Sequence, residues 1–378
     1  MEVNEYESDN NSPFIGVHVT WSVINLLKKQ KVGRNNNRLQ KMNNIAKTNL
    51  YFFSERDVEY NKKKIKGVYY NIKTSKWTVA EFPFPDVYYN RRGESKNNKD
   101  VQKVRETIEK MSITKINSNH FYNKWYSFQE LYKYEEIRPH LPETILYKNE
   151  SDLVNMLKDT SSLYLKSFRQ NNGNGIIYVT KKTNCYEYKY FIKGKLKKGT
   201  ASTLEELIQI IHSFYAGNEF IVQKSIDLLQ YKHSTLDLRC DVQRNGKGEL
   251  ECVSHAVRVS AKNSHVTNTK TKSSIYPFEE FFREKLGFSD KEICSLKTRL
   301  ERLLFNIFEK LELTYGSYGE MGIDIGIDKE GSLFLFECNI KPGKKSLWSC
   351  DEQTIDRAFL NPLEYAKFLS SSQLERSN

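Results

Sequence analysis

No run of about 18 apolar residues occurs anywhere in the 378-residue sequence, so no membrane-spanning helix is expected. The six cysteines, Cys185, Cys240, Cys252, Cys294, Cys338 and Cys350, include no CxxC pair. They read as reduced thiols of a cytoplasmic protein rather than as a disulfide framework or a zinc site. A secretory signal is also lacking, because Met1-Glu2-Val3-Asn4-Glu5-Tyr6-Glu7 is acidic and polar where such a signal is basic and then apolar. No phosphate loop ending in GK[ST] is present, and no internal repeat. Together these absences argue against a membrane protein, a disulfide-stapled scaffold, a zinc module, a P-loop NTPase and a solenoid.

Hydrophobic residues make up 38% and aromatic residues 13% of the chain, enough to bury sizeable cores in two or three domains. The formal net charge is +12. Lys and Arg are spread along the whole length, and the densest cluster, from Lys28 through Arg34, Arg38 and Lys41, is diluted with asparagine. No nucleic-acid-binding motif accompanies it, so nucleic acid is not expected as the main partner. A positive field suits an anionic small substrate equally well.

Residues 1–12 are polar and expected to be disordered. A strand at Phe14–Val19 and a helix at Trp21–Leu27 follow, then an Asn-rich loop or irregular helix over 31–47. Further strands are expected at Leu50–Phe53, Gly67–Tyr70 and Trp77–Val79, closing with Pro83–Arg91, so residues 1–115 read as a small α/β domain. Later, Thr203 and Glu206 stand at capping-box spacing before an amphipathic helix to Tyr215, with Gly217 as its stop. Phe220–Gln223 is a strand, and Ser289–Glu312 is a long amphipathic helix with apolar residues at Ile293, Leu296, Leu300, Leu303, Leu304, Ile307 and Leu311.

That helix runs into the most telling stretch of the chain. Met321–Ile327 and Leu333–Asn339 are apolar runs around the turn Asp328-Lys329-Glu330-Gly331, which reads as a β-hairpin. Asp324, Glu337 and Asn339 sit inside these strands. Alternation puts Glu337 and Asn339 on one face, and pairing of Asp324 with Leu335 or Glu337 brings its carboxylate to the same face. Converging carboxylates among apolar neighbours are costly unless a positive charge neutralises them. Two carboxylates and an amide oxygen suit magnesium, which takes such ligands together with the phosphates of a nucleotide. An isolated acid at a strand end needs no metal; three ligand-type residues on one face ask for one.

Two upstream features have the matching charge. The strand Leu163-Tyr164-Leu165-Lys166 ends in a lysine and opens the loop Ser167–Gly175, whose Gly and Asn residues allow backbone N–H groups to approach a polyphosphate. An ordinary hairpin turn is the alternative. Arg239 and Arg258 lie in the apolar strands Asp237–Gln243 and Ser254–Val259, where a guanidinium needs an anion, either a carboxylate in a salt bridge or a phosphate.

Taken in order, strand-Lys166, the Gly-rich loop, Phe220–Ile226, Asp237-Leu238-Arg239, Asp324 and Glu337-Cys338-Asn339 resemble the ATP-grasp superfamily. The chain is most similar to its endospore-coat-associated branch, the YheC/YheD-like proteins, with further likeness at Pro85–Arg91, Phe121–Lys124, Leu141–Thr144 and Glu337–Gly343. The resemblance covers about residues 80–350. It implies an α+β and α/β architecture: an N-terminal α/β domain (1–115), two α+β lobes clasping ATP (116–222 and 223–370), and a disordered tail (371–378).

The resemblance also implies site roles. Lys166 and Lys124 contact phosphates, as does the loop through Gly173 and Gly175. Gln223, Lys224, Ser225 and Ile226 frame the adenine, with Asp227 or Gln230 near the ribose. Arg239 and Arg258 face the γ-phosphate and an acyl phosphate, and Asp324, Glu337 and Asn339 hold Mg²⁺. ATP and Mg²⁺ are thus the expected cofactors. The expected reaction is ATP-dependent ligation of a carboxylate to an amine (or thiol) through an acyl phosphate, on an amino acid, peptide or protein, in a cytoplasmic or spore-associated setting. A small-molecule kinase and an ATP-binding coat protein without turnover are the alternatives on the same fold. Departures from the family pattern are Lys166-Ser167 in place of Lys-Pro, an Asn-diluted loop, and Lys-Thr-Lys-Ser at 270–273 where a Gly pair is expected.

Overall fold

A computed structural model describes residues 6, 8–9, 11–93, 98–118, 123–168, 175–192, 195–261, 264 and 273–377, the last five of these by backbone alone. The first sheet holds β1 (Phe14–His18), β2 (Asn49–Phe53), β3 (Val58–Glu59), β4 (Lys64–Asn71), β5 (Lys76–Pro83), β6 (Val87–Asn90) and β7 (Thr114–Lys115). Its order is β3-β4-β2-β1-β6-β7, with β5 paired to β4. The β2-β1-β6-β7 stretch is parallel, and β1 and β2 are almost wholly buried, as parallel strands covered on both faces are. Helices α1 (Trp21–Lys28) and α2 (Arg34–Ala46) pack on one face through Ile24, Leu27, Leu39 and Met42. Helix α3 (Lys99–Lys110) packs on the other through Val104 and Ile108.

Three expectations for this part of the chain are corrected. The Asn-rich stretch is a regular helix over residues 34–46, because Leu39, Met42 and Ala46 pack with Ile355, Phe359 and Leu363 of the C-terminal helix and outweigh the poor helix propensity of asparagine. The Arg38 guanidinium joins that contact by pairing with Glu352 and Asp356. The N-terminal stretch is not wholly a loose tail: Tyr6 packs edge-on against Tyr69 at 4.8 Å, and its hydroxyl donates to Asn49 Oδ1 at 3.0 Å. The expected tail at 371–378 is helical as far as Ser377.

Next come α4 (Lys124–Tyr132), β8 (Thr144–Leu146), α5 (Glu150–Asp159), β9 (Ser162–Ser167), β10 (Ile176–Lys181), β11 (Tyr186–Ile192), β12 (Lys195–Ala201), α6 (Leu204–Tyr215) and β13 (Phe220–Lys224). The strands form an antiparallel sheet in the order β12-β11-β10-β9-β13-β8. Leu163, Leu165, Ile177, Val179 and Val222 face α5 and α6 and make the core. Tyr164, Lys166, Tyr178 and Gln223, at the alternate positions, take the other face. Helix α6 starts on a Thr203 cap that accepts from the Glu206 N–H, whereas the Glu206 carboxylate accepts from Ser202 N rather than closing the expected box.

The third sheet, β17-β16-β15-β18-β19, is built from β15 (Ser234–Arg244), β16 (Leu250–Val259), β17 (Ser274–Pro277), β18 (Glu320–Ile327) and β19 (Leu333–Asn339), with the short β14 (Gln230–Tyr231) paired to β15. A short helix, α7 (Phe278–Glu280), precedes the 26-residue α8 (Asp290–Tyr315). Ser289 caps α8 in a capping box with Glu292, and its expected apolar stripe covers one face of the sheet. Phe128, Leu131, Ile137 and Leu141 also join this core. The antiparallel sheet runs from β8 at Thr144 to the end of β13 at Lys224. The last helix, α9 (Glu352–Ser377), packs its Ile355, Phe359 and Leu363 into the core of the N-terminal domain and so ties the two ends of the chain together. Among the described residues, no helix is long and apolar enough to cross a membrane.

Candidate functional site

The open face of the third sheet is polar in a regular way. On β15, Asp237, Arg239, Asp241 and Gln243 occur at every second position and point to this face. Asp237 stands opposite Arg258 of β16, and Arg239 stands opposite Asp324 of β18. On the far side of β18, Asp324 is paired with Glu337 and Gly322 with Asn339. A bulge between Asp324 and Ile325 makes this possible. Ile325 pairs with Leu335, so Phe336 is left over and Glu337 comes level with Asp324. Leu333 and Leu335 before the bulge, and Cys338 after it, belong to the core. Strict alternation from the two leucines would have sent Glu337 and Asn339 into that core; the extra residue turns them to the open face.

Two glycines in β18 make room for the cluster. A Cβ on Gly322 would lie 2.1 Å from Arg239 Nη2, and one on Gly326 would lie 2.3 Å from the Phe336 ring. The Arg239 guanidinium therefore rests on bare backbone, and so does the bulged phenylalanine. A glycine inside a strand is a sequence signal for such close approach.

Charges on this face are closely matched. Arg239 Nη1 donates to Asp324 Oδ1 at 2.8 Å, and Arg258 Nη2 reaches Asp324 Oδ2 at 3.1 Å. Arg258 is also held by both oxygens of Asp237, each at 2.7 Å. Burial would raise the Asp324 carboxyl, but Arg258 and Arg239 outweigh it and hold the group below the usual carboxylate range. Both arginines thus take carboxylate partners, the salt-bridge alternative of the sequence reading. With its amide turned so that the oxygen accepts from Arg239 Nη1 at 3.0 Å, Asn339 donates to Glu337 Oε1 at 3.2 Å.

The facing lobe adds two lysines. Lys124 Nζ lies 3.2 Å from Glu337 Oε2. Lys166 donates to the side chain of Gln223, which itself donates to Thr144 Oγ1 at 2.8 Å. Its ammonium lies 5.5 Å from the Tyr164 ring and 5.6 Å from the Phe336 ring, and so spans both lobes. Burial, and then the neighbouring Lys124, pull the Lys166 ammonium down to about 8, while Glu337 and Asp324 partly restore it. The expected residues Lys124, Lys166, Gln223, Arg239, Arg258, Asp324, Glu337 and Asn339 therefore meet in one place.

The other expected residues lie at the margin. Lys224 turns away to Glu143 at 2.6 Å and Asp159 at 3.6 Å, and its N–H donates to the Glu143 carbonyl. The Ser225 N–H is taken by the Ser162 carbonyl. Ile226 is half-buried in the crossing from one lobe to the other. Asp227 is exposed and paired with Lys329 at 2.6 Å, and Gln230 is exposed on β14. Gly175, in a left-handed conformation at φ 73°, closes the β9–β10 turn, its carbonyl accepting from Ser167 N and from the Tyr215 hydroxyl. Gly173 lies outside the described residues, as do 270–272 of the segment where a Gly pair was expected.

Two acids on the same face were missed. Glu320, four residues before Asp324, receives Lys344 Nζ at 2.7 Å, Arg91 Nη1 at 2.6 Å and the Tyr89 hydroxyl at 2.9 Å. Burial opposes its ionisation, but Lys344 and Arg91 prevail and bring the carboxyl down to about 2. Because Arg91 and Tyr89 come from β6 and the residue after it, this cluster joins the N-terminal domain to the second lobe. Asp241 is fully buried, and neither of its oxygens has a hydrogen-bond partner among the described residues. Its burial raises the carboxyl, against the pull of Arg239.

Among the described residues, no three His, Cys, Asp or Glu side chains gather as a metal site. The Asp324/Glu337/Asn339 set has two carboxylates and an amide. Such a donor set fits Mg²⁺ completed by phosphate oxygens rather than a self-sufficient cage. Lys124 and Lys166, which face the set from the other lobe, fit the phosphates themselves.

Known proteins supply the frame for this geometry. A family model described as YheC/D like ATP-grasp matches residues 112–369. The endospore coat-associated proteins YheC and YheD of Bacillus subtilis (strain 168) are 22% and 23% identical to the chain over 326 and 337 residues. Each alignment covers 86% of this chain, and they cover 89% of YheC and 71% of YheD. Among solved structures, the VanG D-Ala:D-Ser ligase from Enterococcus faecalis has the same fold at a TM-score of 0.55 and 14% identity, covering 95% of this chain and 98% of that one. The fold is that of ATP-grasp proteins, and with the family model spanning well over half of its length the chain belongs to the YheC/D-like ATP-grasp family.

Proposed function

We propose that the protein is an ATP-dependent ligase that activates a carboxylate as an acyl phosphate and passes the acyl group to an amine, releasing ADP and phosphate. The observation that carries this reading is the meeting of four cations from two lobes with two carboxylates and an amide on one hairpin face, with no serine, cysteine or histidine nucleophile among them. Acyl phosphate chemistry asks for little beyond positioning and charge neutralisation, so it needs no protein nucleophile.

In this reading Lys166 and Lys124 hold the phosphates from the first lobe, and the crossing segment from Gln223 to Ile226 borders the base. Asp227 or Gln230, at the rim, is proposed to meet the ribose, and Gly175 to anchor the phosphate-covering loop. Asp324, Glu337 and Asn339 would hold Mg²⁺, which neutralises and orients the phosphates. Arg239 and Arg258 would stabilise charge as it builds on the transferred phosphoryl group and on the adduct with the amine. VanG ligase, by its name, joins D-alanine to D-serine; for this chain an amino acid, peptide or protein substrate is proposed. YheC and YheD are named as coat-associated, and a spore setting is proposed here on the same ground.

Positional isotope exchange tests the reaction. ATP labelled with ¹⁸O at the β,γ-bridge should scramble its label when the acid is present and the amine withheld, and ¹⁸O from the carboxylate should reach phosphate during turnover. A screen of pooled amino acids and peptides for ADP release identifies the substrates to use. Release of AMP would refute the assignment, and a stable phosphorylated product would establish a kinase in its place.

A further inference from the structure

Arg239 is built with two carboxylates to choose from. Its Nη1 is spent on Asp324 at 2.8 Å, while its Nε is buried without a hydrogen-bond partner and lies 3.7 Å from Asp241 Oδ1. Asp241 is fully buried and both of its oxygens are unmet among the described residues. An orphaned donor beside an orphaned acid, each buried, is an expensive arrangement to keep. The guanidinium already fills the space over Gly322, the residue paired with Asp241 across the two strands, so its Nε stands beside the acid before any movement.

The same cluster poses a difficulty for the metal. Asp324 is an expected ligand of Mg²⁺, yet both of its oxygens are taken by arginines. A divalent cation cannot share a carboxylate held by two guanidinium groups without strong repulsion, so the arginines must first find other anions. Arg258 already has one in Asp237, at 2.7 Å. For Arg239 the other carboxylate in place among the described residues is Asp241, at 3.7 Å.

We propose that Asp241 is the alternate counter-ion of Arg239: when metal and nucleotide enter, the guanidinium moves from Asp324 to Asp241 and leaves the Asp324 carboxylate to the metal. Asp241 is thus a positioning residue that acts through Arg239. The site is latched when empty, and it binds metal weakly until a nucleotide's phosphates help to draw the arginines away. This inference rests on the metal and nucleotide reading of the site.

Mn²⁺ serves as the probe, its binding followed by electron paramagnetic resonance with and without a non-hydrolysable ATP analogue. The unchanged protein should bind Mn²⁺ at least tenfold more tightly with the analogue than without it. Asp241→Asn should weaken Mn²⁺ binding in the presence of the analogue by about tenfold, while metal-free binding of the analogue stays within twofold. In an Arg239→Gln background the same change should have no further effect on Mn²⁺, which a merely structural role would not predict. Equal losses in both backgrounds, or joint loss of metal and nucleotide binding, would overturn the inference. A structure of the unchanged protein with Mg²⁺ and the analogue decides the matter without any variant: Arg239 should lie within 3.2 Å of Asp241 and off Asp324, and an Arg239 still on Asp324 refutes the handover. Failure to bind Mn²⁺ under any condition refutes the metal site itself, a distinct result from Mn²⁺ binding that ignores Asp241.

Discussion

A buried carboxylate, Glu320, and a partly exposed one, Asp324, stand four residues apart on β18, and each faces two cations, yet they are built for different ends. Glu320 is closed in on all sides: Lys344, Arg91 and Tyr89 bond its carboxylate, Gln243 approaches at 3.4 Å, and Asn117 donates to its backbone carbonyl at 3.0 Å. None of its cations has a second acid at hand among the described ion pairs. Asp324 has the opposite setting. Arg258 is shared with Asp237, and Arg239 lies within reach of Asp241. A cation with one partner makes a fastener; a cation with two makes a switch. The comparison separates a joint that holds the N-terminal domain to the second lobe from a centre that can open for a ligand.

The largest effect should come from breaking the fastener. Lys344→Met leaves Glu320 with one cation fewer in a fully buried position and should cost about 3–5 kcal/mol in urea unfolding, with the domain contact loosened. A change below about 1 kcal/mol would show that Glu320 is no more committed than Asp324. The same carboxylate sets an acid limit. Its folded value of about 2 lies below the ordinary value of 4.5, so the stability it adds is complete above pH 4.5 and is lost as pH falls towards 2. Glu320→Gln should flatten that part of the pH profile.

At the switch, Glu337→Ala should lower turnover by about 10²-fold, with the melting temperature little changed, because the residue lies on the open face rather than in a core. Unchanged Mg²⁺-dependent turnover in this variant would remove Glu337 from the site. A smaller effect is expected from Lys166. With its ammonium at about 8, the charged form is nearly complete at pH 7 and about a tenth at pH 9, so affinity for an ATP analogue should fall by about tenfold over that range. Binding calorimetry on Lys166→Met should lose this pH dependence; an identical profile would assign the titration elsewhere. The folding contribution has the other sign, since the cost of burying the charged lysine is relieved as pH rises through 8. Asp227→Ala should matter least, changing nucleotide affinity by under about threefold, because Lys329 already holds that exposed carboxylate in solvent.

Much of the candidate centre could be read in the sequence because polar residues in apolar strands stand out: Asp324, Glu337, Asn339, Arg239 and Arg258 all break hydrophobic runs. The order of sheets and the pairing of side chains could not. Glu320 stands next to a Gly-rich turn and has nothing local to mark it; its partners come from residues 89, 91 and 344. Asp241 sits in the same run as Arg239, but its lack of partners is a property of packing. Helix α2 was hidden for the converse reason, since its stability lies in contacts with α9, more than 300 residues away. Lys224, expected just beyond the strand and beside the adenine, is the last residue of β13 and points to Glu143 at the outer side, which strand alternation makes natural once Gln223 faces inward.

The bulge at Phe336 makes the centre depend on how β19 pairs with β18 as well as on which residues it holds. Straightening the bulge with Phe336 retained would restore plain alternation from Leu333 and Leu335 and turn Glu337 and Asn339 towards the core, abolishing the cluster without changing one of its members. Deleting Phe336 itself would bring Leu335 and Glu337 into direct succession and leave both polar residues on their present face. A slip of a single position in the pairing of residues 333–339 exchanges the interior of the protein for the face that carries the candidate site.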